Sequence, residues 1–398
     1  MKNPEAKQGT ILGGALLVAG TTIGGGMLAL PVLTSPGGFF PSLLIYLICW
    51  LFMTLTGLLF LELSLHMEDG VNIVTMAERT LGRYGKIAAW GLYLFLFYCL
   101  TLAYIVGCGD ILNTLLQDRF PHFLGPMLFL ALSAPFLYAG PWLVGKLNYY
   151  LMGALGLCFV LFVFIGLPAV ETANLAHHDW SLSLLALPIA FISFAYQGII
   201  PTLTTYLRHD KKKLVASIWL GSLIPLITYI LWQGLILGII PFHGPDGLQE
   251  ALKEGRNAVY PLKNHLDIPH IFVLGQCFAF FALLTSFFGV TLGLMDFLAD
   301  GLQIKKTPLG KIFLTGLICI PPFFIAILYP DIFLQALDVA GGYGSALLLG
   351  LLPILMAGVW RYKHLKSKPL VKGGYAVLVL LALFVLFEVF LEIHKLFS

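Results

Sequence analysis

The chain carries, near its start, the stretch Ala19-Gly20-Thr21-Thr22-Ile23-Gly24-Gly25-Gly26-Met27, in the middle of an apolar run from Gly9 to Leu33. Such a run can cross the hydrocarbon core of a bilayer, which is about 30 Å thick. A glycine inside a helix costs about 1 kcal/mol relative to alanine, so three in succession predict that the helix unwinds here. Unwound backbone in a membrane must be buried in protein or line a cavity. The stretch therefore predicts a binding site made of main-chain groups, although close packing of another helix on small residues explains the glycines equally well.

The composition indicates a protein with many membrane spans. Hydrophobic residues make up 59% of the 398 residues and charged residues 11%, and the mean hydropathy is +0.91. Soluble domains carry about 25% charged residues. The first apolar run is too long for the apolar part of a signal peptide and no clean cleavage site follows it, so we expect it to remain as the first span.

Apolar segments predict an all-α membrane protein with eleven transmembrane helices. No alternating pattern typical of an outer-membrane barrel is present. The predicted spans are Gly9–Leu33, Phe39–His66, Lys86–Leu116, Phe123–Trp142, Leu147–Pro168, Leu182–Leu207, Leu214–Ile240, His270–Ala299, Leu309–Leu328, Ile332–Trp360 and Tyr375–Ile393.

The distribution of positive charge predicts the orientation. With the N-terminus inside, the inner segments hold all of the 23 Lys and Arg residues except Arg119, Lys253, Arg256, Lys263 and Lys395. Lys and Arg are enriched in cytoplasmic loops. We therefore expect a cytoplasmic N-terminus and, with an odd number of spans, a C-terminus outside.

A second interrupted helix is predicted within the sixth span, where residues 193–202 read SFAYQGIIPT. Gly198 and Pro201 both weaken a helix there, because proline lacks a donor and clashes with the preceding turn. Gln197 adds a full amide, which is costly in a membrane unless it faces a cavity or a partner. A single proline kink is usually structural, but one with Gly and Gln beside it is less common.

The spacing of the two breaks predicts an inverted repeat. They lie in the first and sixth spans, and an offset of five helices gives the two halves opposite topology. Broken helices at matching positions of inverted repeats indicate the binding site of a transporter. The sequence predicts one transporter domain over 1–398, with repeats at 9–168 and 182–360 and an additional C-terminal helix at 375–393.

Three stretches carry a resemblance that extends over essentially the whole chain. Gly20–Pro31, Phe194–Pro201 and Gly289–Asp300 resemble the hydroxy/aromatic amino acid permease family, which is similar to the amino acid–polyamine–organocation superfamily. The resemblance implies the five-plus-five inverted repeat of the bacterial leucine transporter. It also implies a secondary active importer of aromatic amino acids, with tyrosine as the expected substrate, in the bacterial inner membrane, working by alternating access.

An amino acid zwitterion needs donors for its carboxylate and acceptors for its ammonium. The half-helix after the first break presents free amides and the positive end of its dipole. We therefore assign the carboxylate to the amides of Gly24, Gly25 and Gly26. Carbonyls are assigned to the ammonium, and they belong to Thr21, Thr22, Phe194 and Ala195.

An aromatic substrate needs an apolar wall and a polar group for a hydroxyl. Phe194 and Tyr196 are the predicted wall and Gln197 the predicted polar contact, at a position where the family often has His. Tyr98 and Tyr104 on the third span close the pocket or reach the carboxylate in this hypothesis. Ordinary helix packing explains these two tyrosines equally well.

The coupling ion is left open between H⁺ and Na⁺. By resemblance to the leucine transporter, the Na⁺ ligands would be Gly20, Ile23, Ala282, Thr285 and Ser286, although Thr and Ser in membrane helices most often bond to their own helix. The family resemblance favours H⁺. Glu62 is the best acidic candidate near the core, unless it braces the sixth span or reaches the interface.

Other functions are less well supported by the sequence. A carrier of another neutral amino acid stays open, because main-chain recognition is common to all of them. A membrane-embedded enzyme would need a metal cluster or a nucleophile with its base, and His177 and His178 have no partners at useful spacing. No GxxxxGK[ST] motif exists, so direct use of ATP is not expected. We expect an aromatic amino acid and membrane lipid as partners, and no nucleic acid, obligate protein partner, metal or cofactor.

Overall fold

The computed structural model describes residues 9–68, 71–116, 119, 121–265, 269–364 and 369–397. Within these ranges the secondary structure is helical, apart from one isolated β-bridge between Gly38 and His178. The helices are α1 (Ile11–Thr22), α2 (Gly26–Thr34), α3 (Phe39–Ser64), α4 (Ile73–Leu115), α5 (Leu124–Ala139), α6 (Pro141–Gly166), α7 (Thr172–Leu175), α8 (Leu187–Ser193), α9 (Ile200–Tyr206), α10 (Lys211–Ile239), α11 (Leu248–Lys253), α12 (Leu262–His265), α13 (Pro269–Gly301), α14 (Pro308–Leu328), α15 (Phe333–Val339), α16 (Leu352–Lys363) and α17 (Gly374–Phe397).

The first span is broken where the glycine run predicts. Helix α1 is capped at its N-terminus by Thr10, whose hydroxyl accepts from the amide of Gly13 at 3.0 Å. It ends at Thr22, and α2 starts at Gly26 with its axis bent by 57° from that of α1. Three residues lie between the two helices, and the first of them, Ile23, has extended backbone with φ −73° and ψ 111°. The predicted interruption is therefore confirmed.

The second break is also present. Helix α8 ends at Ser193, residues 194–196 are not helical, a short 3-10 turn covers Gln197–Ile199, and α9 continues from Ile200. Tyr196 has φ −146° and ψ 0°, outside the helical region. Pro201 occupies the first turn of α9, where its missing amide costs no helical bond.

The count of spans differs from the predicted eleven. By length and composition the described residues contain nine helices able to cross a membrane, or ten when the bent pair α1–α2 is counted as one span. The remaining predicted span, Phe123–Trp142, contains α5, which has only 16 residues. At 1.5 Å per residue α5 is about 24 Å long, shorter than a hydrocarbon core of about 30 Å. Gly140, with φ +95°, ends it before Trp142.

Two connecting segments contain helices. The segment 72–81 forms the first part of α4, and it is set off from the span by Gly82, whose φ of +74° is not helical. The long loop after α10 contains α11, and its Ala258 amide donates to Leu28 O of α2 at 3.0 Å. This loop therefore covers the half of the first span that follows the break.

The tenth predicted span is irregular in a way that the sequence did not indicate. Between α15 and α16 the backbone is a π-helix over Ala340–Leu351, a form that is rare and often found at functional sites. This π segment packs closely on α8, since a Cβ on Gly341 would overlap the carbonyl oxygen of Pro188. Ser345 also donates to Phe191 O at 3.4 Å.

Candidate functional site

The glycine run 24–26 lies at a point where three other helices come together. A Cβ added to Gly25 would lie 2.6 Å from Cε1 of Tyr104 in α4. Cβ atoms on its two neighbours would overlap the hydroxyls of Ser286 in α13 and Ser193 in α8. Each glycine therefore faces a different helix, and any larger side chain would push that helix away.

The break leaves main-chain groups free of helical bonding. Across it, the amide of Ile23 donates to Ala19 O at 2.9 Å, and those of Met27 and Leu28 donate to Gly24 O and Gly25 O at 3.1 Å. The amides of residues 24–26 have no main-chain acceptor among the bonds between described residues outside the helices. As the first amides of a half-helix, they are suited to bind an anion.

One tyrosine joins the two breaks. The hydroxyl of Tyr229 in α10 lies 2.8 Å from Thr22 O and 2.9 Å from Ser193 O, so the last carbonyls of α1 and α8 share its single proton as a donor. The side chain is buried, with 1% exposed. Sequence reasoning missed it; the available signal was a tyrosine inside an otherwise apolar span, which needs a polar partner.

A second buried chain of hydrogen bonds holds the end of the first span. Tyr46 in α3 donates to Gln233 Oε1 at 2.7 Å, and Gln233 Nε2 donates to the hydroxyl of Thr34 at 2.6 Å. All three side chains are buried. The end of α2 is thus tied to α3 and α10, and these residues too were absent from the sequence-based predictions.

Phe194 lies where an aromatic wall was expected. It is 2% exposed and follows directly on the carbonyl that Tyr229 binds. Its ring centroid lies 5.2 Å from that of Tyr229 and 6.2 Å from that of Tyr46. Ala195, the next residue, is partly buried in the non-helical segment and its amide donates to Ile192 O at 3.2 Å.

Tyr196 and Gln197 turn towards α3. Gln197 Nε2 donates to Met53 O at 3.2 Å and to Thr56 Oγ1 at 3.0 Å, and its Oε1 accepts from the Tyr196 amide at 3.0 Å. The Tyr196 hydroxyl donates to Met53 O at 3.4 Å, and a Cβ on Gly57 would overlap it. The amide of Gln197 is therefore fully paired within the protein, and its contact with a substrate stays a prediction.

The two predicted tyrosines of the third span have different surroundings. Tyr104 is 5% exposed and lies against Gly25 at the break. Tyr98 donates to Leu317 O in α14 at 2.9 Å. The structure thus brings Tyr104, but not the Tyr98 hydroxyl, to the interrupted backbone.

The residues assigned to Na⁺ are only partly arranged around the break. Ser286 faces Gly24, but Thr285 donates to Ala282 O of its own helix at 3.0 Å. Gly20 is near Met152, 3.6 Å from a Cβ placed on it, and Ile23 is partly buried at the break. The hydroxyls of Thr21 and Thr22 likewise return to their own helix, at Leu17 O and Val18 O. The Na⁺ ligand set stays a prediction.

Glu62 has partners that neutralise it. Its carboxylate accepts from Arg361 Nε and Nη2, both at 2.8 Å, and from the amide of Leu370 at 2.9 Å. The side chains of Glu62 and Arg361 are 2% and 10% exposed. This bidentate ion pair joins α3 to α16. Glu62 therefore does not lie at either break.

A cleft opens next to the loop that follows α10. It is lined by residues that include Asp110, Arg256, Asp331 and Phe333, and Arg256 forms an ion pair with Asp110. A Cβ on Gly107 would lie 3.0 Å from Phe333 and 2.8 Å from Leu283. Leu283 also lies beside Gly25, so the floor of the cleft is adjacent to the first break.

No metal centre is found in the described part of the chain. Among those residues, no three or more His, Cys, Asp or Glu side chains are grouped so that they could hold a metal ion. The polar groups that the structure places at the breaks are main-chain amides and carbonyls, with hydroxyls of Ser and Tyr. Such groups can bind a small zwitterion.

The model of the tryptophan/tyrosine permease family matches residues 7–392 of the chain. Among similar proteins is the tyrosine-specific transport system 1 of Haemophilus influenzae, 34% identical over 375 residues, with 93% of each chain covered. Another is the tryptophan-specific transport protein of the same organism, 29% identical over 405 residues, with 98% of this chain and 97% of the relative covered.

Among solved structures, the fold is similar to that in the crystal structure of MhsT in complex with L-phenylalanine. The TM-score is 0.70 at 16% sequence identity, with 96% of this chain and 100% of that chain covered. The predicted all-helical architecture of the leucine-transporter type is thereby confirmed at the level of the fold.

Proposed function

Because the chain belongs to the tryptophan/tyrosine permease family, as its sequence predicted, we propose that it is a secondary active importer of aromatic amino acids, with tyrosine as its main substrate. It is a multi-pass membrane protein and not an enzyme. The observation that carries the proposal is the convergence of two interrupted spans, whose last helical carbonyls share the hydroxyl of Tyr229. Peptide dipoles at such breaks bind the charged groups of a zwitterion.

The proposed site divides the substrate between main chain and rings. The amides of residues 24–26 bind the carboxylate, and carbonyls of Thr21, Thr22 and the segment 194–195 accept from the ammonium. Phe194 forms part of the wall for the ring, since it is buried beside Tyr229 at the break. Tyr104, which packs on Gly25, closes the site from α4.

We propose tyrosine, and not tryptophan, as the main substrate on the evidence of sequence similarity alone. The tyrosine-specific relative is 34% identical and the tryptophan-specific one 29% identical. A tyrosine hydroxyl needs one polar partner that a phenylalanine side chain does not need, and Gln197 is the predicted one. Its amide is paired with α3 in this structure, so it would have to exchange a partner when substrate binds.

We propose eleven spans in two inverted repeats of five, at 9–168 and 182–360, with α17 as the additional helix. Helix α5 is then a short fourth span. Were it not to cross, the basic segments 208–213, 305–311 and 361–372 would lie on the side opposite to the basic segment 79–86, against the usual bias of Lys and Arg. The N-terminus is then cytoplasmic and the C-terminus outside, in the bacterial inner membrane.

We propose H⁺ as the coupling ion, with Na⁺ as the alternative. Support for H⁺ comes from the family resemblance. Na⁺ would need the hydroxyl of Thr285 together with Ser286 and the carbonyls of Gly20, Ile23 and Ala282. Glu62 is less suited to carry the proton, because Arg361 neutralises it.

Uptake by proteoliposomes tests this function. Labelled Tyr, Trp, Phe and Leu would each be offered under an imposed H⁺ gradient and, at fixed pH, under a Na⁺ gradient. We expect Tyr to accumulate most under the H⁺ gradient. Preferential accumulation of Leu would refute the aromatic pocket, and uptake that requires Na⁺ at fixed pH would refute H⁺ coupling.

A further inference from the structure

Three carboxylates and one ammonium are grouped between α17 and the tenth span, away from both breaks. Glu388, Glu392 and Lys395 are spaced by four and three residues, which puts them on one face of α17. Lys395 Nζ donates to Glu392 Oε1 and, at 3.4 Å, to Asp338 Oδ2 of α15. The group therefore contains more negative than positive side chains.

Glu388 is the unusual member of this group. It is 0% exposed, whereas the side chains of Asp338 and Lys395 are 22% and 28% exposed. Neither of its carboxylate oxygens has a hydrogen-bond partner among the described residues. An unpartnered ionised carboxylate in an apolar interior is very costly, and such groups are normally neutral.

The charged groups around Glu388 also favour its neutral form. The acidic groups facing it are Glu392 on its own helix and Asp338 on α15, and Lys395 is the one cation among the groups that act on it. Tyr343 of the π segment and Cys49 of α3 are also near enough to interact electrostatically with Glu388. Neither of these side chains carries a positive charge, and the Tyr343 hydroxyl has no partner in the described part of the chain.

We propose that Glu388 is a proton-binding site, which holds a proton in the folded protein at neutral pH, while Asp338, Glu392 and Lys395 form the charged group beside it. The ligand is H⁺ and the protonated species is the neutral carboxylic acid. The site lies outside the two interrupted spans and on the additional C-terminal helix, so the inference stands whichever amino acid is carried.

The packing connects this site to the second break. Phe384 lies one turn before Glu388 and its ring centroid is 5.6 Å from that of Phe191 in α8, two residues before that helix ends. On the other side, a Cβ on Gly342 of the π segment would lie 2.5 Å from Cγ of Glu392. Ionisation of Glu388 would require water or a rearrangement at this interface, so the proton stabilises the contact of α17 with α8 and the π segment.

Infrared difference spectroscopy tests the proposal directly, on the purified full chain in lipid nanodiscs. A protonated carboxyl has a carbonyl stretching band that neither a carboxylate nor an amide has. We expect this band at pH 7 in the wild type and its loss in Glu388→Gln. The matched control is Glu171→Gln, which changes an exposed glutamate and should keep the band. A Glu388→Gln spectrum identical to that of the wild type would overturn the proposal.

Stability gives a second readout that needs no substrate. If the folded state holds one proton more than the unfolded chain, stability falls as pH rises above the ordinary pKa of Glu, about 4.3. The folding constant should then fall about tenfold more per pH unit in the wild type than in Glu388→Gln. Equal pH dependence in the two proteins would refute a proton held on Glu388.

A further variant covers the case in which Glu388→Gln does not fold. Asp338→Asn removes a negative neighbour and leaves Glu388 in place. We expect the carbonyl band to persist at pH 7 and to disappear at lower pH than in the wild type, because the ionised form is repelled less. Absence of the band at every pH above the ordinary pKa of Glu, about 4.3, would place the proton on Asp338 and refute the assignment. An unchanged pH dependence of the band would also refute it.

Discussion

Replacement of Gly25 by alanine is the sharpest perturbation of the first break. The added Cβ would lie 2.6 Å from Cε1 of Tyr104 and 3.1 Å from Cδ2 of Leu283. These two side chains are 5% and 0% exposed, so neither can move into solvent. An extra methyl group in a packed interior costs about 1–3 kcal/mol. The methyl group must therefore displace α4, α13 or the interrupted backbone.

The functional effect follows from that cost. If the whole of this free energy destabilises the conformation that binds substrate, affinity and uptake drop about 5- to 150-fold, since about 1.4 kcal/mol corresponds to a factor of ten. The assay is binding of labelled tyrosine to purified monodisperse protein, followed by uptake in proteoliposomes. Binding separates a damaged site from a poorly folded protein when the melting temperature is measured on the same sample.

The matched control is Gly289→Ala in α13. A Cβ at Gly289 has nothing within 4 Å, and alanine is favoured over glycine in a helix by about 1 kcal/mol. This variant should bind and transport like the wild type, with equal or slightly higher stability. Equal uptake by Gly25→Ala and Gly289→Ala would refute the assignment of the glycine run to the substrate site.

Three further predictions concern the contacts that join the helices. Tyr229→Phe should weaken tyrosine binding and reduce stability by about 1–3 kcal/mol, because two buried carbonyls lose the one donor that they share. Unchanged binding in an equilibrium assay would count against its bridging role. Arg361→Leu removes one partner of the Glu62–Arg361 pair and should destabilise the folded protein by about 3–5 kcal/mol in reversible unfolding. A double variant that also carries Glu62→Leu should recover much of this loss. No recovery would show that the unpaired charge is not the cause. Asp110→Asn should lower the free energy of unfolding by at most about 1 kcal/mol, since the side chains of Asp110 and Arg256 are 25% and 23% exposed. The substitution should also make the unfolding midpoint less sensitive to salt. An unchanged salt dependence would argue against a stabilising role of this pair.

The breaks were predictable because their causes are local. Three glycines in succession, or Gly198 followed by Pro201, weaken a helix through their own backbone preferences. Local reasoning failed at α5, where apolar residues continue to Trp142 but Gly140 adopts φ +95° and ends the helix earlier.

The side-chain assignments were harder, because a membrane helix is apolar around much of its surface and its sequence does not show which face meets which helix. Gln197 was correctly identified as a buried amide that needs partners, but they are Met53 and Thr56 in α3, more than a hundred residues away. In the sequence, Tyr229 is an ordinary aromatic residue of a span. Only the structure shows that its hydroxyl lies between the ends of two helices.

Sequence alone was enough for the class of protein, the family and the positions of the two interrupted spans, since hydropathy and backbone preference act within a few neighbouring residues. Tertiary structure decided which groups meet at those interruptions, how Glu62 is neutralised by Arg361, and that Glu388 is enclosed without a hydrogen-bond partner. The physical reason is that a hydrogen bond or a charge acts over a few ångströms of space. Only the packing of the helices brings residues that are distant in the chain within that range.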